Sequence, residues 1–389
     1  MHAGDTRRVD ALILGGGLGG SSIAAALAGA GLATTVLECR VDRPEDFWGY
    51  VLWPPGTRVL DWLGVLPQIR PYASRLKAFR WCGGSGDEFA RANVAIHGEF
   101  LGVRPSIVDR VLTDAAKRAG AQMVTGIKSW ALRGRAGGRH IVETVDGEGG
   151  AVRRWSARVL IGADGPQSRL RTTLGIKARM WRPPSQAVVT GIGSAVPEAE
   201  SVQLMGPGWS TGVVQLGAED SWKYVAIRTR PKADDLSALP GPTRHWLREV
   251  PHPRIVRPSS VRVGDWVADG ILLIGDAAHG MLPHLGLGGS LTLADVPVAS
   301  EVVIEAVRNG DTAAASLRRY QDRSSRRVAY ARRISEIFAL ATTQPGLAGI
   351  RNANLARLGR RQALLDRFIG ELAGTEVPSA GVRLAVMLP

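Results

Sequence analysis

Three groups of glycine and charged residues carry the chemistry legible in this sequence. The first is Gly15-Gly16-Gly17-Leu18-Gly19-Gly20, which fits G-x-G-x-x-G with glycines 15, 17 and 20. In such a turn the first glycine makes the bend and the second lets a pyrophosphate approach the backbone. The third packs helix on strand, and the helix N-terminus offers N–H donors and partial positive charge. Glu38 follows Gly20 by 18 positions, where a carboxylate can accept hydrogen bonds from ribose hydroxyls. The second group is Gly162-Ala163-Asp164-Gly165-Pro166-Gln167-Ser168-Arg169-Leu170-Arg171, by itself a strand end, an Asp-Gly turn and a capped helix start. The third is Gly275-Asp276-Ala277-Ala278-His279, then Pro283, Gly286-Leu287-Gly288-Gly289 and Asp295. Asp276 at a strand end can bind a polyol. The glycines let a loop and the next helix's N-terminus press against a flat ligand and stabilise negative charge on it.

These groups need strands and helices to hold them. Residues 9–14 form an apolar run suited to a buried parallel strand. An alanine-rich helix over 21–30 follows, closing at Gly31, and 34–37 is the second strand. Helix patterns cover 54–66 and 104–119, with short apolar alternations between 75 and 99. Residues 159–162 and 271–275 are further apolar strands. Between them 187–196, 201–205, 212–216 and 222–227 are short, β-rich and punctuated by Gly, Pro or Asp, as in a meandering antiparallel sheet. After Asp295 the chain is mostly helical, with a short strand expected at 382–387.

The 389 residues are enough for two or three domains, and 45% hydrophobic with 22% charged residues excludes a disordered or low-complexity chain. Cys39 and Cys82 are too few for a disulfide framework or a four-cysteine zinc site, and point to a reducing, cytoplasmic setting. No uninterrupted apolar run approaches the roughly 20 residues of a membrane span, and the N-terminus does not read as a signal peptide. The net charge is +14, and 43 of the 49 basic residues are arginine. They are scattered, without a nucleic-acid-binding signature, so no nucleic-acid partner is expected. The densest cluster, Arg318 to Arg333, carries Leu317, Tyr320, Ser324, Val328, Ala331 and Phe338 at helical spacing. It reads as one helix with a solvated basic face.

Taken together, the three groups in this order and at these separations resemble the FAD-dependent aromatic hydroxylases of the p-hydroxybenzoate hydroxylase type, in a short form without a thioredoxin-like domain. The resemblance implies an α/β fold. A Rossmann-like FAD-binding domain (1–71, 100–179 and 266–340) would be interleaved with an antiparallel β-sheet substrate domain (72–99 and 180–265), before a helical C-terminal segment (341–389). It implies that Gly15, Gly17, Leu18, Gly19, Gly20 and Glu38 hold the ADP half of FAD. Asp164, Gly165 and Arg171 would serve the pyrophosphate and NAD(P)H, and Arg104 would contact FAD. Gly275 and Asp276 would bind the ribityl chain, and Pro283, Gly286, Gly288 and Gly289 would face the flavin ring. Ser290 stands where the family often has asparagine, Asp295-Val296 replaces the usual Asp-Ala, and Pro297 is expected in a first helical turn or at a kink.

The chemistry so implied is flavin reduction by NADPH or NADH, the basic charge favouring NADPH. Oxygen addition follows, giving a C4a-hydroperoxyflavin that hydroxylates an apolar aromatic or polycyclic molecule. His284, in the flavin-facing loop, is either a general base or a packing residue, and His279 reads as structural. Trp181, Met205, Trp209, Trp222 and Tyr224 are the candidate substrate wall, while Trp48 and Trp53 read as packing. A flavin halogenase is disfavoured because W-x-W-x-I-P is absent, and a metalloenzyme because the seven histidines show no H-E-x-x-H. An epoxidase, a Baeyer–Villiger enzyme, a flavin oxidase and a non-catalytic FAD-binding protein stay open, as does monomer against homodimer.

Overall fold

The computed structural model describes residues 6–42, 45–147, 149–183, 187–196, 199–228 and 241–379. The expected strand at 382–387 lies outside them. Thr6–Leu14 is buried through its second half and sits between Thr34–Leu37 and Val152–Gly162, all parallel. Gln122–Val124 extends this sheet on one side and Ile271–Leu273 on the other, again parallel. The helix Leu18–Gly29 packs on it, buried on nearly every side because its residues are small. It closes where Gly31 takes φ +84°, and the Gly31 and Leu32 amides donate back to Ala28 and Leu27.

An antiparallel excursion, Ile127–Ala136 and Arg139–Asp146, is attached to the early half of Val152–Gly162. Its exposed faces are polar and arginine-rich, so only the last, fully apolar residues of that strand were legible from composition.

The second large sheet runs Arg254–Val256, Ala187–Ser194, Asp220–Ile227, Trp209–Gln215, Glu200–Gly206, Ala78–Gly83, Glu88–Asn93. It is antiparallel except where Glu200–Gly206 runs parallel to Ala78–Gly83, which corrects the expectation of a purely antiparallel sheet. That pair joins two distant chain segments, so no hairpin fixes its sense. Residues Ala178–Trp181 do not join this sheet but pair with Ser260–Val263 in a separate two-stranded one.

Leu287–Asn309 packs between the first sheet's helices and Ala314–Thr343. By length and composition it is apolar enough to cross a membrane, but 67% of its most apolar window is buried within the protein, and Asp295 interrupts it. Pro297 lies well inside this helix, not in its first turn, and Ser300 Oγ donates to the Pro297 carbonyl at 3.1 Å. The arginine cluster does form one helix, burying Leu317, Tyr320, Ser324, Val328 and Ala331. Its basic face is largely paired rather than merely solvated. Arg319 reaches Glu305 at 2.8 Å, Arg323 reaches Glu301 at 2.8 Å, and Arg318 reaches Asp265 at 3.0 Å. Ala348–Arg360 and Gln362–Ala373 then fold back onto the second sheet, closing a core that contains Trp53, Phe79, Trp81 and Met205.

Candidate active site

Parallel strands place their C-terminal ends along one edge, and all three motifs emerge there. Gly15 N donates to Leu37 O at 2.9 Å, Ala163 N to Leu14 O at 2.8 Å, and Ile274 N to Gly162 O at 2.9 Å. The ladder continues straight into the turns and so holds them side by side. Gly15 has φ +102°, and a Cβ there would lie 2.4 Å from the Ala163 carbonyl oxygen. A Cβ on Gly20 would lie 1.9 Å from Gly15 O. Gly17 is different, because a Cβ there would meet no protein atom within 4 Å. Two glycines therefore serve the fold, and the middle one faces an open cradle at the start of a helix.

Glu38 accepts the Gly16 N–H at 2.7 Å and the Arg40 N–H at 3.0 Å, and its carboxylate pairs with Arg40 Nε at 2.9 Å. Burial alone would raise its pKa. The hydrogen bonds from Arg40 and Gly16 outweigh that and hold it at about 2, below the ordinary 4.5. A carboxyl with a depressed folded pKa stabilises the native state above its unfolded value and loses that contribution as pH falls through the folded one. Acidification from pH 4.5 to about 2 is therefore expected to loosen the glycine turn. Glu38→Gln should flatten that part of the stability–pH curve, read by circular dichroism. An unchanged curve would remove Glu38 from the turn's support.

Asp164 Oδ2 accepts the Leu170 N–H at 3.0 Å, while its Oδ1 is buried with no hydrogen-bond partner among the described residues. Arg171, expected to serve the pyrophosphate and NAD(P)H, is turned inward. It donates to Ala277 O at 2.7 Å and Pro166 O at 2.8 Å, tying the second motif to the third. Burial lowers its pKa, against the pull of Asp164. Arg104 likewise is engaged by protein, in a two-pronged pair with Asp220 at 2.7 Å on both prongs. It joins the start of helix Pro105–Arg118 to the second sheet.

Asp276 keeps exposed surface inside the crevice, yet protein encloses it, and that burial raises its pKa while His279 opposes the rise. His279 is engaged by protein. Its Nε2 lies 2.5 Å from Asp295 Oδ2, and its ring packs on Trp266 at 4.9 Å. Asp295, fully buried, also accepts from Tyr320 Oη at 3.1 Å and pairs with Arg327 at 3.4 Å. Thr292 was not singled out from sequence, but its methyl explains two glycines. A Cβ on Gly19 would lie 2.9 Å from it and one on Gly275 2.8 Å. Thr292 therefore fills the junction of the first and third motifs.

The loop 283–286 and the following helix start complete the crevice. Gly286 has φ +63°, and a Cβ there would strike Val51 at 2.8 Å. Gly288 and Gly289 leave the helix start accessible, with nearest atoms at 3.6 Å and 3.4 Å from a Cβ. Trp53 does more than pack. Its amide donates to Ser290 Oγ at 2.8 Å and its indole N–H to Leu285 O at 3.0 Å. Ser290, the residue that departs from the family pattern, thus has a defined partner.

Beside this loop lies a narrow cavity of about 50 Å³. Its walls include Trp53, Phe79, Trp81, Trp222 and Tyr224, with Pro283, His284 and Gly286 on the loop side and Phe368 on the C-terminal helix. Trp222 and Tyr224 were expected there. Gly212 faces Tyr224 across the sheet, and a Cβ on it would overlap the ring at 2.3 Å, so the glycine lets the tyrosine lie along the sheet. Met205 is buried in the adjoining core and Trp209 packs over Gly206, neither lining the cavity. Trp181 is on the separate two-stranded sheet. Phe79 and Trp81 were missed, although their alternation within 75–99 was a visible signal. Burial lowers His284 from 6.5 to about 4, so it is a neutral imidazole at physiological pH. Burial raises the Tyr224 phenol well above its usual range.

The sequence matches the family described as "FAD binding domain" over residues 8–239 and 241–335. The chain belongs to that family. The crevice fits FAD: an open cradle at Gly17, a carboxylate at the second strand's end, Asp276 along the path to the loop, and a glycine-rich helix start. Digeranylgeranylglycerophospholipid reductase 1 of Methanopyrus kandleri is 29% identical over 336 residues, covering 81% of this chain and 85% of that one. 6-Methylpretetramide 4-monooxygenase of Streptomyces rimosus is 26% identical, covering 79% and 78%. The solved p-nitrophenol 4-monooxygenase PnpA of Pseudomonas putida superposes with a TM-score of 0.81 at 18% identity, covering 96% of this chain and all of that one. These likenesses put the chain among the FAD-dependent monooxygenases and related oxidoreductases, on the fold its three motifs implied.

Proposed function

We propose that this protein is a FAD-dependent monooxygenase that uses NAD(P)H and molecular oxygen to hydroxylate a small, flat aromatic molecule. The observation that carries the reading is the cavity. Its walls are aromatic and one of them is the loop that closes the FAD crevice. Relatives named for oxygenation support it, among them aurachin C monooxygenase/isomerase and a ubiquinone hydroxylase.

FAD, when bound, supplies the oxygen-activating redox chemistry. The glycine turn and Asp276 bind and orient it. The amides at the start of Leu287–Asn309 would offer positive potential to a flavin held beside them. Trp53 fixes the loop through Leu285 and Ser290, and the aromatic walls keep water from the reacting centre. His284, neutral at its site, can take a proton from a phenolic hydroxyl.

Oxygen-18 gas decides the reading. Label should enter the product when NADPH and a substrate are turned over. Hydrogen added to a double bond, with no label, would instead indicate a reductase like the Methanopyrus relative. For His284→Ala we expect kcat to fall by about 100-fold with FAD content unchanged. For the wild type, kcat/KM should be flat from pH 6 to 8, on the order of two units above the histidine's titration at about 4. An acid limb near 6.5, the ordinary histidine value, would refute the neutral, buried base.

A further inference from the structure

What the cavity selects, if it is the substrate site proposed above, is set by its floor. Two rows of side chains from the second sheet form its floor. One runs Trp81, Gln203, Gly212, Tyr224 and the next Phe79, Ser201, Val214, Trp222, each neighbour opposite the last in register. Gln203 is the odd member. It is 5% exposed, lines the cavity, and its Nε2 has no hydrogen-bond partner among the described residues. A buried, unpaired amide donor is costly to maintain, and here it lines the cavity.

Charge at this floor is neutralised. Arg80 is among the lining residues, although it alternates with Phe79 and Trp81 along its strand. It is held by Glu88 at 2.7 Å and Glu200 at 3.5 Å, and Arg91 pairs with Glu200 as well. His284 is neutral. A carboxylate entering the cavity would thus lose its water and meet, among the described lining residues, a single arginine already engaged by Glu88 and Glu200.

We propose that Gln203 is the specificity-determining residue of the cavity, donating an N–H to a carbonyl or hydroxyl oxygen of an uncharged planar aromatic substrate. The pocket rejects aromatic carboxylates of the same size. The apolar rings around it supply stacking area, and the amide sets which edge of the ring system faces the sheet.

The test is equilibrium binding to the FAD-loaded protein, read by quenching of tryptophan emission and by the visible flavin spectrum. The probes are 4(1H)-quinolone, naphthalene and quinoline-4-carboxylate. The wild type should bind the quinolone at least tenfold more tightly than either of the others. Gln203→Leu should abolish the preference over naphthalene while leaving naphthalene affinity within about twofold. Gln203→Met serves if the leucine variant loses its flavin. A preference that survives in both variants overturns the role of Gln203 alone. Tightest binding of the carboxylate overturns the uncharged-substrate claim. No response to any probe, in wild-type protein that still holds FAD, overturns the cavity as the substrate site and Gln203 with it.

Discussion

Gly17→Val is expected to weaken FAD binding by at least a hundredfold while leaving the FAD-free protein's melting temperature nearly unchanged. The reason is the contrast among the three motif glycines. A Cβ on Gly17 meets nothing within 4 Å, and its φ of −77° suits any residue, so the protein accommodates the side chain. The cost to the helix cap is about 1 kcal/mol or less, partly offset by a stiffer unfolded chain. The isopropyl group then occupies the space a pyrophosphate needs, and a hundredfold loss corresponds to about 2.7 kcal/mol. Gly20→Ala should behave in the opposite way. Its methyl would lie 1.9 Å from a carbonyl oxygen, so the strand–helix packing itself must shift, at about 1–3 kcal/mol or more. Flavin titration and thermal unfolding of both variants separate the two. If Gly17→Val bound FAD normally, the cradle would not be the pyrophosphate site.

Asp295→Ala should produce the largest loss of stability among single polar substitutions near the crevice. Its side chain is fully buried and serves His279, Tyr320 and Arg327 at once. Truncation strands an imidazole and a phenol in the core. Breaking such a buried cluster costs about 3–5 kcal/mol, and the lower end applies because Arg327 is 38% exposed and can rehydrate. A fall of about 5 °C or more in melting temperature follows. FAD content should fall too, because His279 closes the segment that begins at Asp276, and Asp295 sits two turns into the helix proposed to face the flavin ring. Asp295→Asn keeps an acceptor for Tyr320 and should lose less than half as much. Equal losses in the two variants would mean that charge, not connectivity, is what the cluster provides.

Much of the nucleotide-binding half was legible because its determinants are local. The apolar strand over 9–14, the glycines after it and Glu38 are read within a few dozen residues, and a parallel β–α–β unit has few ways to pack. The arginine-rich helix was legible for the same reason, since 3.6-residue periodicity is a local signal. Roles that depend on partners far along the chain were not. That Arg171 also ties Ala277 and Arg104 also pairs with Asp220 was not visible in the sequence. Trp53 read as packing, yet its two hydrogen bonds reach Ser290 and Leu285, more than 200 positions away.

The substrate side shows the division most clearly. Trp222 and Tyr224 could be expected on a wall because strand alternation is visible in sequence. Met205 and Trp209 sit on neighbouring strands of the same sheet and yet do not line the cavity. Gln203 carried no signal, because only the parallel pairing of Glu200–Gly206 with Ala78–Gly83 places it beside Trp81. The return of Phe368 over the same space depends on where the last helices pack. Motif spacing by itself determined that this chain binds FAD, since steric demands on glycine are written one residue at a time. What the cavity looks like was decided by tertiary structure, because strand order and register join segments whose pairing no local pattern encodes.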